Sequence, residues 1–398
     1  MAGGNENVCF PISTAELERR WKAIREAMDD QGIDILVMQN NNDFHGGYVK
    51  YFTDTPAVQG GYAEVIFYKD GPMTAIRHGA PREQKIAHDD PVNRGIDKII
   101  TRPTFAAVEY TRNYASDAVV NELKGHADKT IGLVCTTSMT APFLDGLRNG
   151  NLHNVKFVNA TDMVDEIKAI KSPEEIGFIK AVAKMQDTAI EAVRKEVRPG
   201  KRVFEMTALA QYVGQLNGSE QGLFLANTSA VGQPVLKAPR HMQNKVINEG
   251  DVFNILVENN GPGGYYCEIA RTFVMGKATA QMKEDFEFSL VAQRNTLNMI
   301  KPGADPAEIC ATHNDFMVKN GRPAERRLYA HGQGYDLVER PMLFPDETMK
   351  IQANMNIVVH PTYLGREHLS GICDNYMTTE SGVTECLHKV PQEIFEIH

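Results

Sequence analysis

The stretch Gly250–Gly276, GDVFNILVENNGPGGYYCEIARTFVMG, decides how the chain is read. Two apolar runs, Val252–Val257 and Tyr265–Met275, flank the cluster Asn259-Asn260-Gly261-Pro262-Gly263-Gly264. Apolar runs on either side of a Gly/Asn/Pro cluster predict a β-hairpin with a long tip. Glu258 follows directly on Val257. In the second run, the two-residue period of a strand puts Tyr266, Glu268, Ala270 and Thr272 on one face. A carboxylate inside an otherwise apolar strand needs a cation or a hydrogen-bond donor once it is buried. The hairpin therefore marks a site as well as a fold.

The chain has 398 residues, enough for two domains and a large core. Apolar and charged contents of 42% and 23% are those of a globular protein. A net charge of −9 argues against nucleic acid or an anionic membrane surface as partner. There is no apolar run long enough to predict a transmembrane helix. The start, MAGGNENVCFPIS, shows neither the basic nor the apolar region of a signal peptide. Six scattered cysteines make no disulfide framework, so a reducing, cytoplasmic setting is expected.

Ahead of the hairpin, Thr14–Gln31 has Leu17, Trp21, Ile24 and Met28 at helical spacing. Strands are expected at Ile33–Met38, Ala63–Phe67, Met73–Ile76, Ile99–Ile100, Ile131–Val134 and Val155–Phe157, with a helix over Tyr114–Leu123. Strands alternating with helices predict an α/β N-terminal domain. Ser172-Pro173-Glu174-Glu175 then starts a new helix: Ser172 caps it, Pro173 fits its first position and Glu175 completes a capping box. The stripe Ile176, Ile179, Val182, Ala183, Ile190, Val193 continues it to Arg198-Pro199-Gly200. A domain boundary is placed near Asp165, giving domains 1–165 and 166–398. Further helices are expected over Glu284–Ile300 and from Pro306 to Asn320.

Three later stretches carry chemistry-bearing residues. Tyr329-Ala330-His331-Gly332-Gln333-Gly334-Tyr335 sets a histidine among small residues. In Asn356–Pro361, His360 ends an apolar strand on the face of Val358 and Asn356. Gly371–Met377 begins a strand with Cys373 and Asp374. A lone histidine is more often structural than catalytic, although titration near neutral pH suits it to catalysis.

In their order these stretches resemble the creatinase / aminopeptidase P / prolidase family. The landmarks are Ile170–Glu175, Arg198-Pro199-Gly200, Gly250-Asp251, Gly264-Tyr265, Arg271-Thr272-Phe273, Ala330-His331-Gly332 and Thr379-Glu380-Ser381-Gly382. Arg19–Ala27, Gly32–Leu36 and Tyr51–Thr53 resemble that family's smaller N-terminal domain. The resemblance implies an α/β N-terminal domain followed by an α+β "pita-bread" catalytic domain, in a homodimer that takes a small-molecule substrate.

The family's peptidases hold two metals with Asp, Asp, His, Glu and Glu. Here the first Asp falls on Val257, with Glu258 beside it, and the second on Glu268. The His is His331, the first Glu has become His360 and the last has become Cys373. The peptidases' second histidine falls on Val338, next to Glu339. With the bridging carboxylates altered, an intact dinuclear peptidase centre is not expected.

Two chemistries remain open. In one the site is metal-free and creatinase-like, with His331 and His360 as acid/base pair and Glu258 and Glu268 holding a cationic group. In the other a single Zn or Fe ion is held by Glu268, His331 and His360, with Cys373 as a fourth ligand, and activates a water. Tyr266, Tyr335, His241 and Asp374 are candidate substrate contacts. The aromatic segment Phe44–Tyr62, which includes His45, is either interdomain core or a lid over a partner's site. The expected activity is hydrolysis of a C–N bond in a small cationic or zwitterionic metabolite. The alternatives are a mononuclear-metal hydrolase or carbon–heteroatom lyase, an Xaa-Pro peptidase, and a non-enzymatic binding protein.

Overall fold

A computed structural model describes residues 8–40, 47–56, 61–152 and 154–398. His45 and Phe44 lie outside the described residues. The chain forms two compact units, Met1–Lys168 and Ala169–His398.

The first unit is α/β. It contains α1 (Thr14–Gln31), β1 (Ile35–Asn40), α2 (Gly47–Thr53), β2 (Ala63–Tyr68), β3 (Met73–His78), β4 (Arg82–Lys85), β5 (Ile96–Arg102), α3 (Tyr114–Leu123), β6 (Thr130–Val134), α4 (Ala141–Asn149), β7 (Lys156–Asn159) and most of α5 (Thr161–Ala169). The seven strands form one mixed sheet in the order β4-β5-β3-β2-β1-β6-β7. Helices α3 and α4 bury Val119, Leu123, Phe143 and Leu147 against Val37, Ile66, Ile76 and Ile131. The expected strand at Val155–Phe157 is Lys156–Asn159, because its N-terminal end has to register with Thr130 of β6.

The second unit is α+β. After α6 (Pro173–Glu196) and α7 (Val203–Leu216) come β8 (Gly222–Ala230), β9 (Asp251–Asn260) and β10 (Tyr266–Met275). Then follow α8 (Ala280–Met299), α9 (Pro306–Lys319), β11 (Ala330–Gly332), β12 (Glu339–Met342), β13 (Asn356–Val359), β14 (Thr362–Leu364), β15 (Leu369–Gly371), β16 (Asp374–Thr379), β17 (Gly382–Val383) and β18 (Ile394–Ile397). One sheet runs β18-β10-β9-β8, a second β12-β11-β13-β16-β17, and β14 and β15 make a separate hairpin.

The capping box at Ser172 forms: Glu175 N–H donates to Ser172 Oγ at 3.2 Å, and Ser172 N–H donates to Glu175 Oε2 at 2.7 Å. The other Glu175 oxygen accepts from the Tyr265 hydroxyl at 2.9 Å, which ties α6 to the tip of the β9–β10 hairpin. That tip also needs Gly263, where φ is +75° and a Cβ would lie 2.8 Å from the Phe178 ring. One face of the first sheet packs Phe224, Phe253, Ile255, Val257, Ile269, Phe273 and Phe395 against Val193, Val203 and Met206 of α6 and α7. Each such side chain removed from water is worth roughly 1.5–3 kcal/mol. The opposite face, bearing Glu258 and Glu268, is left to meet the second sheet.

The two sheets join along β10. Ala270 N–H donates to the Cys373 carbonyl at 3.2 Å, and Tyr266 N–H to the Gly334 carbonyl at 2.7 Å. These bonds bring residues far apart in sequence onto one buried face.

Candidate active site

Strand register builds the site. Glu258 of β9 lies directly opposite Glu268 of β10, and both are almost completely buried. Each carboxyl acts directly on the titration of the other. The Glu258 carboxyl is pushed well above the usual carboxylate range by burial and then by Glu268. Glu268 is also raised by burial, against the pull of a Cys373 hydrogen bond and the charges of Lys237 and Arg327. Both shifts favour the protonated form, the low-cost arrangement for adjacent buried carboxyls.

The second sheet supplies the histidines. β11 carries His331 opposite Val358 of β13, and His360 follows β13 directly. Nε2 of His331 and of His360 lie 4.0 and 3.9 Å from Glu268 Oε2, and the ring centroids are 5.2 Å apart. These separations are too long for direct hydrogen bonds. Nδ1 of His331 is 2.9 Å from the Gly332 carbonyl, so the neutral ring carries its proton there and turns the Nε2 lone pair towards Glu268. Burial holds His331 down to about 4. His360 is held well below the ordinary histidine value by burial and then by His331 and Arg327. Both rings are therefore neutral near pH 7. His360 Nε2 is buried and has no hydrogen-bond partner among the described residues.

A floor of amides fixes these groups. Gln333 Nε2 donates to Glu258 Oε1 at 2.9 Å, and Asn375 Nδ2 donates to Gln333 Oε1 at 2.8 Å and to Asn356 Oδ1 at 3.0 Å. Asn375 Oδ1 accepts from Glu268 N–H at 2.8 Å. The segment after His331 is anchored by Lys171, whose ammonium meets the buried Glu339 carboxylate at 2.7 Å. Glu339 also accepts from the N–H of Tyr335 at 2.9 Å. Gln333, Asn375 and Lys171 were not marked as site residues in the sequence. Only the glycines beside Gln333 signalled a close approach there: a Cβ on Gly332 would lie 2.6 Å from the Arg340 carbonyl.

The remaining expected contacts divide. The Cys373 thiol donates to the Glu268 carbonyl at 3.5 Å, and burial and Glu268 push it well above the ordinary thiol value. Among the described residues, the donor atoms of Glu268, His331 and His360 all lie within 4.8 Å of one another, and Cys373 is outside that set. Asp374 does not join the site. It is fully buried against Arg271 at 2.8 Å and His388 at 3.3 Å, and despite burial the Arg271 guanidinium and the hydrogen bond to His388 hold it at about 2. The reason is register: the Ala270–Cys373 bridge turns Cys373 to Glu268 and its neighbour the other way. Tyr335 stacks on Tyr265 with centroids 4.4 Å apart, as packing. Tyr266 is buried with its hydroxyl accepting from Gln221 at 2.7 Å. His241 is exposed on the short 3-10 turn Arg240–Met242. The residue of that loop whose charge acts on the site is Lys237. Burial, then Arg327, lowers it to about 8 against the opposing pull of Cys373, Glu268 and Glu325.

The donor set suits one divalent ion: two neutral imidazoles and a carboxylate, one ring nitrogen left without a partner. A pair of ions does not fit it, because Val257 is packed in the apolar core and Asp374 is taken by Arg271.

Residues 177–380 match the family described as Metallopeptidase family M24. A Xaa-Pro dipeptidase from Pyrococcus furiosus is 26% identical over 246 residues, 61% of this chain and 69% of the relative. A creatinase from a Bacillus species is 25% identical over 344 residues, 84% of this chain and 79% of the relative. The crystal structure of an X-Pro aminopeptidase from Thermotoga maritima superposes with a TM-score of 0.76 at 21% identity, covering 95% of this chain and 99% of that one. This chain thus has the pita-bread fold in its second unit and an α/β fold in its first.

Proposed function

Because the chain belongs to metallopeptidase family M24, we propose that it is a hydrolase that cleaves a C–N bond in a small polar metabolite with a cationic or zwitterionic group. The observation that carries this reading is the meeting of Glu258, Glu268, His331 and His360 in one buried cluster with both rings neutral. The carboxyl pair holds the cationic end of the substrate. Neutral His331 takes a proton through Nε2 from the attacking water. The proton taken up is returned, through the His331–His360 pair, to the departing nitrogen, so one water is consumed and no proton is lost. Catalysis takes place in a cytoplasmic homodimer.

A second reading is supported by the unpartnered His360 Nε2. One divalent ion would be held by Glu268, His331 and His360, and would supply Lewis-acid activation of a water. Glu268 and the two imidazoles would fix the ion, while Gln333, itself held by Asn375, positions the Glu258 carboxyl.

The test is turnover of a panel of amidino and amido acids beside Xaa-Pro dipeptides, with the wild type, His331→Ala and His360→Ala, with and without chelator. The first reading expects turnover of non-peptide C–N substrates that resists chelator and is lost in both variants. Loss of activity with chelator and loss of metal in His360→Ala select the mononuclear reading. Strong Xaa-Pro cleavage with two ions per chain refutes both.

A further inference from the structure

The sheet of the first unit is covered unequally. Helices α3 and α4 pack on the face that carries Ile66, Ile76 and Ile100. Strand alternation turns Val65, Ala75, Arg77, Ile99 and Thr101 to the other face. There a cavity of about 320 Å³ lies between the sheet and the end of α2, where Val49 and Thr53 line it. Register builds its floor. Arg82 of β4 stands opposite Thr101 of β5, and Thr101 opposite Arg77 of β3. In the next row Gln84 stands opposite Ile99, Ile99 opposite Ala75, and Ala75 opposite Val65 of β2. Two guanidiniums with a threonine between them thus border a largely apolar row. Neighbouring strands lie roughly 4.8 Å apart, so the two long side chains reach the same space over Thr101.

Arg77 is set in place before any ligand arrives. Its Nη1 donates to Asn93 Oδ1 at 3.0 Å. Asn93 is fixed in turn by Asp90, whose Oδ1 accepts from the Asn93 backbone N–H at 2.7 Å and from its Nδ2 at 3.2 Å. Arg82 Nη2 donates to Gln84 Oε1 at 2.6 Å. These bonds engage one terminal nitrogen of each guanidinium, which has five N–H donors. Among the described residues, no carboxylate oxygen comes within 4.0 Å of either one. The acidic residue on the lining, Glu64, accepts from Gln39 Nε2 at 2.8 Å, and burial raises it to about 7. His78 turns Nδ1 to the Thr104 carbonyl at 2.9 Å. The floor is therefore cationic at one side and apolar at the other.

We propose that this cavity is a second ligand site, within the first unit, for a small organic acid: Arg77 and Arg82 hold its carboxylate over Thr101, and its carbon chain lies on Ile99, Ala75 and Val65. A planar guanidinium matches a carboxylate with two parallel hydrogen bonds. The volume lies at the lower end of small-molecule sites, roughly 300–1,000 Å³. Inorganic phosphate would leave the apolar row unused. The inference is independent of the hydrolase reading.

The test is calorimetric titration of the whole chain with butyrate, succinate and inorganic phosphate in turn, comparing wild type, Arg77→Met, Arg82→Met and His360→Ala. Saturable binding of at least one acid is expected, tighter than that of phosphate. Each arginine variant should weaken it roughly tenfold or more, and His360→Ala should leave it unchanged. If Arg77→Met does not fold, Arg82→Met on the exposed strand β4 carries the comparison. No saturable binding of either acid, phosphate bound as tightly, affinity unchanged in either folded arginine variant, or binding lost in His360→Ala each overturns the inference. None of these results bears on substrate turnover, which decides the hydrolase reading.

Discussion

Glu258 and Glu268 stand directly opposite each other on β9 and β10, both buried. Two carboxyls so placed cannot both ionise without a cation between them. Their separate environments differ: Gln333 donates to Glu258, while the more distant charges of Lys237 and Arg327 favour the ionised form of Glu268.

Glu258→Gln should be tolerated by the fold. The raised carboxyl stabilises the folded state fully below its unfolded pKa, and that contribution is lost as pH rises through its folded value. The amide keeps a donor for Glu268 and removes the titration. At pH 8 the variant should match or exceed the wild type by on the order of 1 kcal/mol in urea denaturation, with the difference shrinking at pH 5. A clear loss of stability at pH 8 would contradict a protonated Glu258.

Lys171→Met should be among the most damaging substitutions. It leaves the Glu339 carboxylate buried without the ammonium now 2.7 Å away. The expected cost is about 3–5 kcal/mol, with much of it recovered by adding Glu339→Gln. Denaturation of the two single variants and the double variant measures the coupling. Additive losses would show that the pair does not support the His331 loop.

Gly332→Ala introduces a methyl 2.6 Å from the Arg340 carbonyl and 2.9 Å from that of Glu339. Because both obstacles are backbone, β11 must move. A loss of about 1–3 kcal/mol is expected, with displaced His331 ring resonances in NMR spectra. Unchanged melting and spectra would mean that β12 yields freely.

His313 gives a pH signature away from the site. It stacks on Tyr329 with centroids 3.8 Å apart, its Nε2 has no partner among the described residues, and burial, then Arg327, lowers it to about 4. The unfolded chain takes up a proton here near pH 6.5 and the folded chain does not, so stability falls as pH drops from that value towards 4. His313→Phe keeps the stack without the titration. It should lessen the loss between pH 7 and pH 5 by about 2 kcal/mol in chemical denaturation. An unchanged pH slope would mean that the ring is already charged in the folded state.

The β9–β10 hairpin was legible because two apolar runs and a Gly-rich break leave few alternatives. β8 was not, because Asn227, Thr228 and Ser229 interrupt its apolar pattern, and only pairing with β9 makes it a strand. The meeting of Glu268, His331 and His360 was legible from the order of their stretches. Cys373 could not be told from Asp374, since one backbone bridge decides which of two neighbours faces inward. Loop 231–249 has no period to read. His241 drew notice by its chemistry, while the loop gains its position from anchors on β8.

Val257 is wholly enclosed by core side chains and Glu258 faces Glu268, a division made by one residue of strand alternation. Exchanging one amino acid for another along β9 adjusts the chemistry by degrees. Deleting or inserting a single codon there would send the carboxylate into the hydrocarbon interior and a valine into its place. The gene is therefore free to explore spelling at these positions but not length, and descendants with new activities should differ here by substitutions alone.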